Sequence, residues 1–368
     1  MKHLNRIWQA VKIPLLAILC SLVAGGIIIA VTGNNPFKAY YSLLQGSGLA
    51  PKASYAGYKN MLTDFCSYAN YFTPMIFAAL AVAVALRAGL FNIGVSGQML
   101  AAGFTASIIV GYSGMNAFLA KPLVVVIGIL VGGLAGAAVG ALRYRFNINE
   151  VVSTIMFNYI FQYVVSFFIN TYFVDPVSRQ SVEISAASRL TLMDTPVGNL
   201  KIDLPLGFIL ALITVFLVWF LLEKTKLGYE LKAVGYSRSA AKYAGIKVGK
   251  CMVLSMTISG ALSGLAGVTY YMGYVGSIQP KVLVNTGYDA IAVSLLGNNN
   301  PFGIIFSTML ITLIGKGSTY MKSSAGVDSE IASVITGIIL LFSACNVYIK
   351  WKLEHRKREK EIAAKEEK

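Results

Sequence analysis

Amide and hydroxyl side chains interrupt the apolar stretches of this chain at a few positions. They are Asn92, Ser96, Gln98, Asn158, Asn298, Asn299 and Asn300. Amide groups donate and accept hydrogen bonds without a net charge, which suits sugar hydroxyls and the edges of nucleobases. The alternative is hydrogen bonding between helices, worth about 0.6 kcal/mol for each residue on average. From residue type alone, a path for a neutral polar solute and interhelical bonding stay equally open.

Most of these polar residues lie in two segments that also carry glycine or proline, 89–98 and 287–301. In hydrocarbon an unpaired backbone group costs several kcal/mol, so non-helical backbone must be buried in protein or line a cavity. Broken segments in both halves of a membrane chain indicate a translocation site. The pattern is therefore typical of a transporter.

The composition also indicates a membrane protein. Of the 368 residues, 56% are hydrophobic and 13% are charged, whereas soluble domains carry about 25% charged residues. A net charge of +15 would indicate a nucleic-acid partner if it formed a patch on a soluble fold. Basic residues also gather on the cytoplasmic side of membrane proteins, so we expect contact with membrane lipid and no nucleic-acid partner.

Nine apolar runs approach the length of about 20 residues that a membrane span needs. They are 13–31, 72–86, 93–112, 122–142, 151–173, 204–222, 253–275, 302–317 and 331–349, with a shorter candidate at 288–297. We predict an all-α polytopic membrane protein with about ten (eight to ten) transmembrane helices and broken or short helices in both halves. Residues 1–349 would form one transmembrane domain, and 350–368 a charged tail.

Basic residues cluster at four places, before the first predicted span, after the fourth and sixth, and from Lys350 onward. With an even number of crossings, all four clusters lie on one side of the membrane. Because that side is the cytoplasm, we expect both termini there.

The chain contains little material for catalysis or for a metal site. Its two histidines, His3 and His355, lie in the charged ends, and no cysteine pair has ligand spacing. The segment 245–251 has three residues between its glycines and then Lys-Cys, whereas a Walker A loop needs four and then Lys-Ser/Thr. We therefore expect no catalytic residue and no metal site.

Charged residues near the predicted spans are few: Arg87, Glu150, Asp289 and Lys316. Ion-coupled carriers usually hold such groups at mid-membrane, whereas these lie near span ends. This scarcity disfavours an ion-coupled secondary transporter of a small polar solute, which remains the alternative hypothesis.

The loop 224–252 is predicted to carry a short helix along the membrane surface. Ser237 would cap its start, Gly235 would allow the preceding turn and Gly245 would end it. The residues assigned to contact with a soluble partner are Gly235, Arg238, Ala240, Ala241 and Gly245. A basic helix that rests on anionic lipid is the alternative.

Glycines recur every four residues in one predicted span, at Gly128, Gly132, Gly136 and Gly140. Another span carries Gly260, Gly264 and Gly267. Small residues let helix backbones approach closely within a membrane, so both stripes predict helix packing.

Four segments, in this order, resemble one family of transport proteins. They are Asn92-Ile-Gly-Val-Ser-Gly-Gln98, Asn149-Glu-Val-Val-Ser-Thr-Ile-Met-Phe-Asn-Tyr159, Leu231-Lys-Ala-Val-Gly-Tyr236 with Ala240-Ala-Lys-Tyr-Ala-Gly-Ile246, and Leu296-Gly-Asn-Asn-Asn-Pro301. The chain is similar here to permease subunits of ABC importers for nucleosides and simple sugars, in the branched-chain amino acid and ribose permease superfamily. The likeness extends over about 72–342. Ser96 and Asn298 depart from it, since an acidic and a basic residue are usual there.

The resemblance implies a permease subunit in a bacterial cytoplasmic membrane. Its partners would be a second permease, related or identical, two cytoplasmic ATPase subunits and an extracellular substrate-binding lipoprotein. ATP and Mg would bind to the ATPase, and this chain would bind no cofactor. The region 235–246 would be the coupling helix that docks on the ATPase.

Overall fold

The computed structural model describes residues 18–52 and 59–344, and these are mostly helical. The helices are α1 (Ile18–Val31), α2 (Pro36–Gly46), α3 (Met61–Arg87), α4 (Val95–Ala106), α5 (Ala117–Phe146), α6 (Glu150–Phe168), α7 (Leu206–Lys224), α8 (Lys226–Tyr236), α9 (Arg238–Tyr243), α10 (Val248–Thr269), α11 (Thr286–Leu296), α12 (Pro301–Ala325) and α13 (Ser329–Ala344). Short π-helical segments, Ser107–Gly111, Ile169–Phe173 and Tyr270–Val275, follow α4, α6 and α10. The predicted charged tail, 350–368, lies outside the described residues.

Within the described ranges, six helices are long and apolar enough to cross a membrane, namely α3, α5, α6, α7, α10 and α12. The pair α1 and α2, bent by 115°, would make a seventh if counted as one span. Shorter apolar helices are α4, α11 and α13. The chain is therefore a multi-pass membrane protein, and the predicted count of eight to ten spans is not confirmed. Two of the three shorter helices, α4 and α11, belong to the segments predicted to be broken.

The all-α prediction is wrong at one place, where two antiparallel strands precede α7. They are β1 (Thr191–Val197) and β2 (Leu200–Pro205), paired from Thr191 opposite Pro205 to Val197 opposite Leu200. Gly198, with φ of +61°, stands first in the two-residue turn, where hairpins favour glycine. Because both strands are short and largely exposed, they lack the alternation of apolar and polar residues that marks a half-buried strand.

The chain divides into two compact units, and the prediction of one domain over 1–349 stays a prediction. The larger unit comprises 47–316. The described part of the smaller one comprises 18–46 and 317–344. In the smaller unit α2 packs closely on the last part of α12, since a Cβ atom added to Gly317 would lie 2.8 Å from the Cα of Leu43.

Glycines bring α5 and α10 into backbone contact within the larger unit, as the stripes predict. A Cβ atom added to Gly132 would lie 2.7 Å from the Cα of Gly264, and one added to Gly136 would lie 2.9 Å from the Cα of Gly260. Neither helix could approach so closely with side chains at these positions. Because α10 also packs on α3 and α4, this seam fixes the two helices that flank the first broken segment, 89–98.

Candidate functional site

Asn92 is the centre of a buried hydrogen-bond network that joins α3, α4 and α10. Its Nδ2 donates to Oε1 of Gln98 at 3.0 Å and to Oγ of Ser259 at 2.8 Å. Its Oδ1 accepts a bond from the backbone N–H of Gly94 at 2.9 Å. Ser259 in turn donates to the carbonyl of Ala81 at 2.7 Å. The non-helical backbone after α3 is therefore held by side chains, as burial in a membrane requires.

Two further predicted residues tie this first broken segment to other parts of the chain. Asn158, on α6, accepts a bond from the N–H of Gly97 at 2.8 Å and donates to the carbonyl of Ile93 at 3.0 Å. Ser96 donates to the carbonyl of Val284 at 2.8 Å. Each side chain thus hydrogen-bonds to backbone groups outside its own helix.

The structure therefore gives Asn92, Ser96 and Asn158 the interhelical bonding that residue type left open. One atom of the network is unused: among the described residues, Nε2 of Gln98 is buried without a hydrogen-bond partner. The assignment of these four residues to the substrate path stays a prediction.

The second broken segment contains a half-length helix that begins inside the bundle. The chain enters α11 beside α4, where a Cβ atom added to Gly287 would lie 2.6 Å from the backbone nitrogen of Ser96. α11 then runs for 11 residues to Leu296, too few to cross a membrane. The two broken segments therefore meet at the first turns of α4 and α11.

Asn298, Asn299 and Asn300 form the turn between α11 and α12. The first two adopt left-handed backbone, with φ of 55° and 52°, a conformation that asparagine tolerates. Asn299 accepts a bond from Oγ of Ser294 at 2.9 Å, and Asn300 caps α12 through the N–H of Phe302 at 3.0 Å.

This asparagine turn lies at a different depth from the Asn92 network. Nε of Arg87, the last residue of α3, donates to the carbonyl of Asn299 at 3.1 Å. The Asn92 network instead reaches α3 at Ala81, about 9 Å of helix away from Arg87. The structure therefore does not join the two predicted groups of substrate-path residues in one site.

The predicted coupling helix is present as α9. Ser237 caps it by accepting a bond from the N–H of Ala240 at 3.3 Å, and Gly245, with φ of +80°, follows its end. Ala240 is exposed, whereas Ala241 is 3% exposed and packs in an apolar cluster with Leu231. Ala241 therefore anchors α9 to the bundle.

Gly235 has a different role from the predicted one. It lies in the last turn of α8, and the chain turns instead at Ser237, whose backbone is extended. A Cβ atom added to Gly235 would lie 3.0 Å from the N of Gly89, and one added to Gly89 would lie 3.0 Å from the Cα of Gly235. Nη2 of Arg238 donates to the carbonyl of Gly89 at 3.2 Å. Contacts therefore run from α8 and α9 through 87–89 to Asn299.

The exposed face of α8 and α9 carries tyrosines that the sequence analysis missed. Tyr229, Tyr236 and Tyr243 are 67%, 94% and 94% exposed. Tyr229 and Tyr236 are seven residues apart within α8, a spacing that places helical residues on one face and could have revealed them, whereas Tyr243 lies on α9 beyond the break at Ser237.

A second missed group lies inside the larger unit, around the first half of α3 and the π-helical segment after α10. We call it the tyrosine cluster: Tyr71, Tyr270, Tyr274, Asp289 and Lys316. The sequence analysis noted its two charged members singly and none of its aromatic members. The five residues come from four helical segments, so no local motif marks them.

Comparison with known proteins places the chain among transport permeases. The family model described as branched-chain amino acid transport system / permease component matches residues 65–344. The guanosine ABC transporter permease protein NupP of Bacillus subtilis is 34% identical, covering 92% of this chain and 94% of that protein. The nucleoside ABC transporter permease protein NupB of Lactococcus lactis is 33% identical, covering 94% of each.

The glucose ABC transporter permease protein TsgB13 of Haloferax volcanii is 24% identical over 93% of this chain and 89% of that protein. Among solved structures, an inward-facing metal-chelate type ABC transporter is 12% identical, with a TM-score of 0.49, covering 85% of this chain and 96% of that chain. The family match and the full-length likeness to NupP lead to one conclusion: this chain belongs to the branched-chain amino acid transport system permease component family.

Proposed function

We propose that this chain is the permease subunit of an ATP-driven importer that carries nucleosides across a bacterial cytoplasmic membrane. The observation that carries the proposal is the likeness of 33–34% to two permeases named for guanosine or nucleosides, over more than nine tenths of each chain. The glucose permease is more distant, at 24%. The ion-coupled alternative has no support from these relatives.

The face of α8 and α9 is proposed as the docking surface for the ATPase subunit, which would bind ATP and Mg. Tyr236 and Tyr243 are almost fully exposed, and tyrosine is enriched among the residues that dominate binding energy at interfaces. Buried Ala241 packs α9 against the bundle beneath this surface. Arg238 bonds the start of α9 to Gly89, and Gly245 allows the turn after its end.

Docking would act on both broken segments through one set of contacts. A displacement of α8 reaches Gly89 through Gly235, and Arg238 bonds to the same residue. Arg87 then bonds to Asn299 in the turn after α11. We propose that this route opens and closes the substrate path during the ATPase cycle.

The end of the bundle that carries α8 and α9 would face the cytoplasm, together with both termini. Arg143 and Arg145 of α5, and Lys224 of α7, lie at the ends of helices nearest this side, which agrees with the bias of basic residues. The exposed hairpin of β1 and β2 would face outward to the substrate-binding lipoprotein. A second permease would complete the path.

We retain Asn92, Ser96, Gln98 and Asn158 as substrate-path residues in a rearranged state of the transporter. The unpartnered Nε2 of Gln98 supports this proposal, since movement of the first broken segment would expose a ready donor. Asn298, Asn299 and Asn300 would contribute by shaping the turn that moves.

The test is uptake of radiolabelled guanosine by proteoliposomes that contain the assembled importer and its binding protein. Uptake should require ATP and should stop with an ATPase that cannot hydrolyse it. Loss of uptake when only the proton gradient is collapsed would contradict the proposal.

Docking is tested by Tyr236→Ala with Tyr243→Ala, which should reduce co-purification of the ATPase by about tenfold, an effect typical of interface tyrosines. Tyr159→Ala, on the exposed face of α6, is the matched control and should leave it unchanged.

A further inference from the structure

We propose that the tyrosine cluster binds the nucleoside in transit, with the base against the tyrosine rings and the ribose hydroxyls on Asp289. This inference rests on the proposed function and extends it, because it assigns solute contacts to residues outside the predicted substrate-path set.

The aromatic part of the cluster comes from α3 and from the π-helical segment after α10. The ring of Tyr274 lies 5.3 Å from that of Tyr71 and 6.0 Å from that of Tyr270, centroid to centroid, at tilted angles. Tyr270 and Tyr274 belong to the segment Tyr270–Val275, and π-helical insertions of this kind occur frequently at functional sites.

Lys316 of α12 completes one side of the cluster. Its Nζ lies 5.2 Å from the centre of the Tyr274 ring and 3.4 Å from the hydroxyl of the same residue, to which it donates. No described acidic side chain forms an ion pair with it. Its ammonium group is therefore available to a base oxygen or nitrogen beside the ring.

Asp289, in the first turn of α11, provides the acidic group. α11 packs against α3, the helix that carries Tyr71. Among the described residues, its carboxylate has no ion pair and no hydrogen-bond partner. An ionisable side chain within a membrane segment is costly, so an unpaired one indicates a function. A carboxylate can accept hydrogen bonds from two neighbouring hydroxyls, as a ribose offers.

The cluster is partly exposed, although it lies between buried residues. Tyr71 is partly exposed, although its neighbours on α3, Asn70 and Phe72, are buried at 9% and 4%. Tyr274, Asp289 and Lys316 are partly exposed as well. Partial exposure together with two charges that form no described ion pair fits a site that a solute can reach.

The chemistry of the cluster fits a nucleoside better than a simple sugar. Aromatic side chains accept every base, because each base has a π face on which to stack. Lys316 and Asp289 add a donor and an acceptor of opposite charge around a neutral ligand. A simple sugar could bond to the Asp289 carboxylate, but it has no flat ring system to stack between the tyrosines.

The test uses the assembled importer in proteoliposomes and compares guanosine uptake per ATP hydrolysed. Tyr71→Leu with Tyr274→Leu should lower it by about tenfold, as expected when base–aromatic stacking is lost. The double Phe variant, which keeps both rings, should stay close to the unchanged chain. Tyr163→Leu, on the exposed face of α6 (62% exposed), is the matched control.

A second arm separates binding from folding. Asp289→Asn should lower the preference for guanosine over 2′,3′-dideoxyguanosine at least threefold, measured with the same binding protein. An unchanged preference, or Leu variants that transport as well as the Tyr163→Leu control, would overturn the inference while the unchanged importer still transports guanosine. Failure of that unchanged importer to transport guanosine with ATP would instead reject the proposed function.

Discussion

The two broken segments look alike in sequence but are held in different ways. The first, 89–98, is fixed by side-chain amides that are completely buried, with Asn92 at 0% exposure and Asn158 at 1%. The second, 287–301, is fixed by backbone turns and a helix cap at one end. At its other end it carries Asp289, whose carboxylate is unpaired among the described residues. The first segment is therefore fixed by buried side chains, whereas the second leaves this carboxylate partly exposed.

The largest expected effect comes from removing the support of the first segment. Gly267 of α10 packs on α4, where an added Cβ would lie 2.6 Å from the Cα of Met99. Gly267→Leu should therefore abolish the folded subunit, seen as loss of the monodisperse peak in detergent. Gly337→Leu, on α13, is the control because nothing lies within 4 Å of an added Cβ there. Equal yields from both variants would show that the first segment needs no such support.

The next largest effect should follow from loss of the buried amide in the same segment. Asn92→Leu removes the hydrogen bonds to Gln98 and Ser259 and leaves buried polar groups unsatisfied, which costs about 1–3 kcal/mol for each group. The midpoint of thermal unfolding in detergent should fall by several degrees. Asn298→Gly, at an exposed residue of the second segment whose left-handed backbone glycine also adopts, should lower it far less. A comparable drop for Asn298→Gly would mean that both segments are supports.

A change at Arg87 should affect transport more than stability, because this residue bonds to the turn of the second segment. Arg87→Ala removes one hydrogen bond that is partly exposed, worth about 1 kcal/mol. Guanosine uptake per ATP should fall several-fold if the contact transmits motion. Arg145→Ala, exposed at the end of α5, is the control. A fall in thermal stability with normal coupling would assign Arg87 a purely structural role.

The smallest effect is expected at the cap of α12. Asn300→Ala removes the side-chain acceptor for the N–H of Phe302, which costs about 1 kcal/mol in typical helix caps. Asn300→Ser should restore most of it. The midpoint of thermal unfolding in detergent should fall slightly for Asn300→Ala and recover for Asn300→Ser; a drop as large as that of Asn92→Leu would show that this cap is a major support.

Local rules explain what could be predicted from the sequence. The glycine seam followed from a four-residue repeat, and the start and end of α9 followed from the preferences of Ser237 and Gly245. The multi-pass character followed from apolar run length, whereas the predicted count of eight to ten spans is not confirmed. Each of these features depends on residues close together in the chain.

The tyrosine cluster could not be predicted in this way. Its members are separated by up to 245 positions and meet only because α3, α10, α11 and α12 pack together. The close contact of Gly235 with Gly89 was not predicted either, because a glycine suits a turn and a close approach of two backbones equally well. For Asn92 and Asn158, residue type allowed two roles, and only the distances show that both side chains bond between helices.

The contact between Gly235 and Gly89 has a mechanical consequence. Two backbones touch there with no side chain between them, so no rotamer can adjust to absorb a small shift. A displacement of α8 toward 87–89 therefore cannot be taken up by side-chain rearrangement at this contact, and the two backbones must move together or separate.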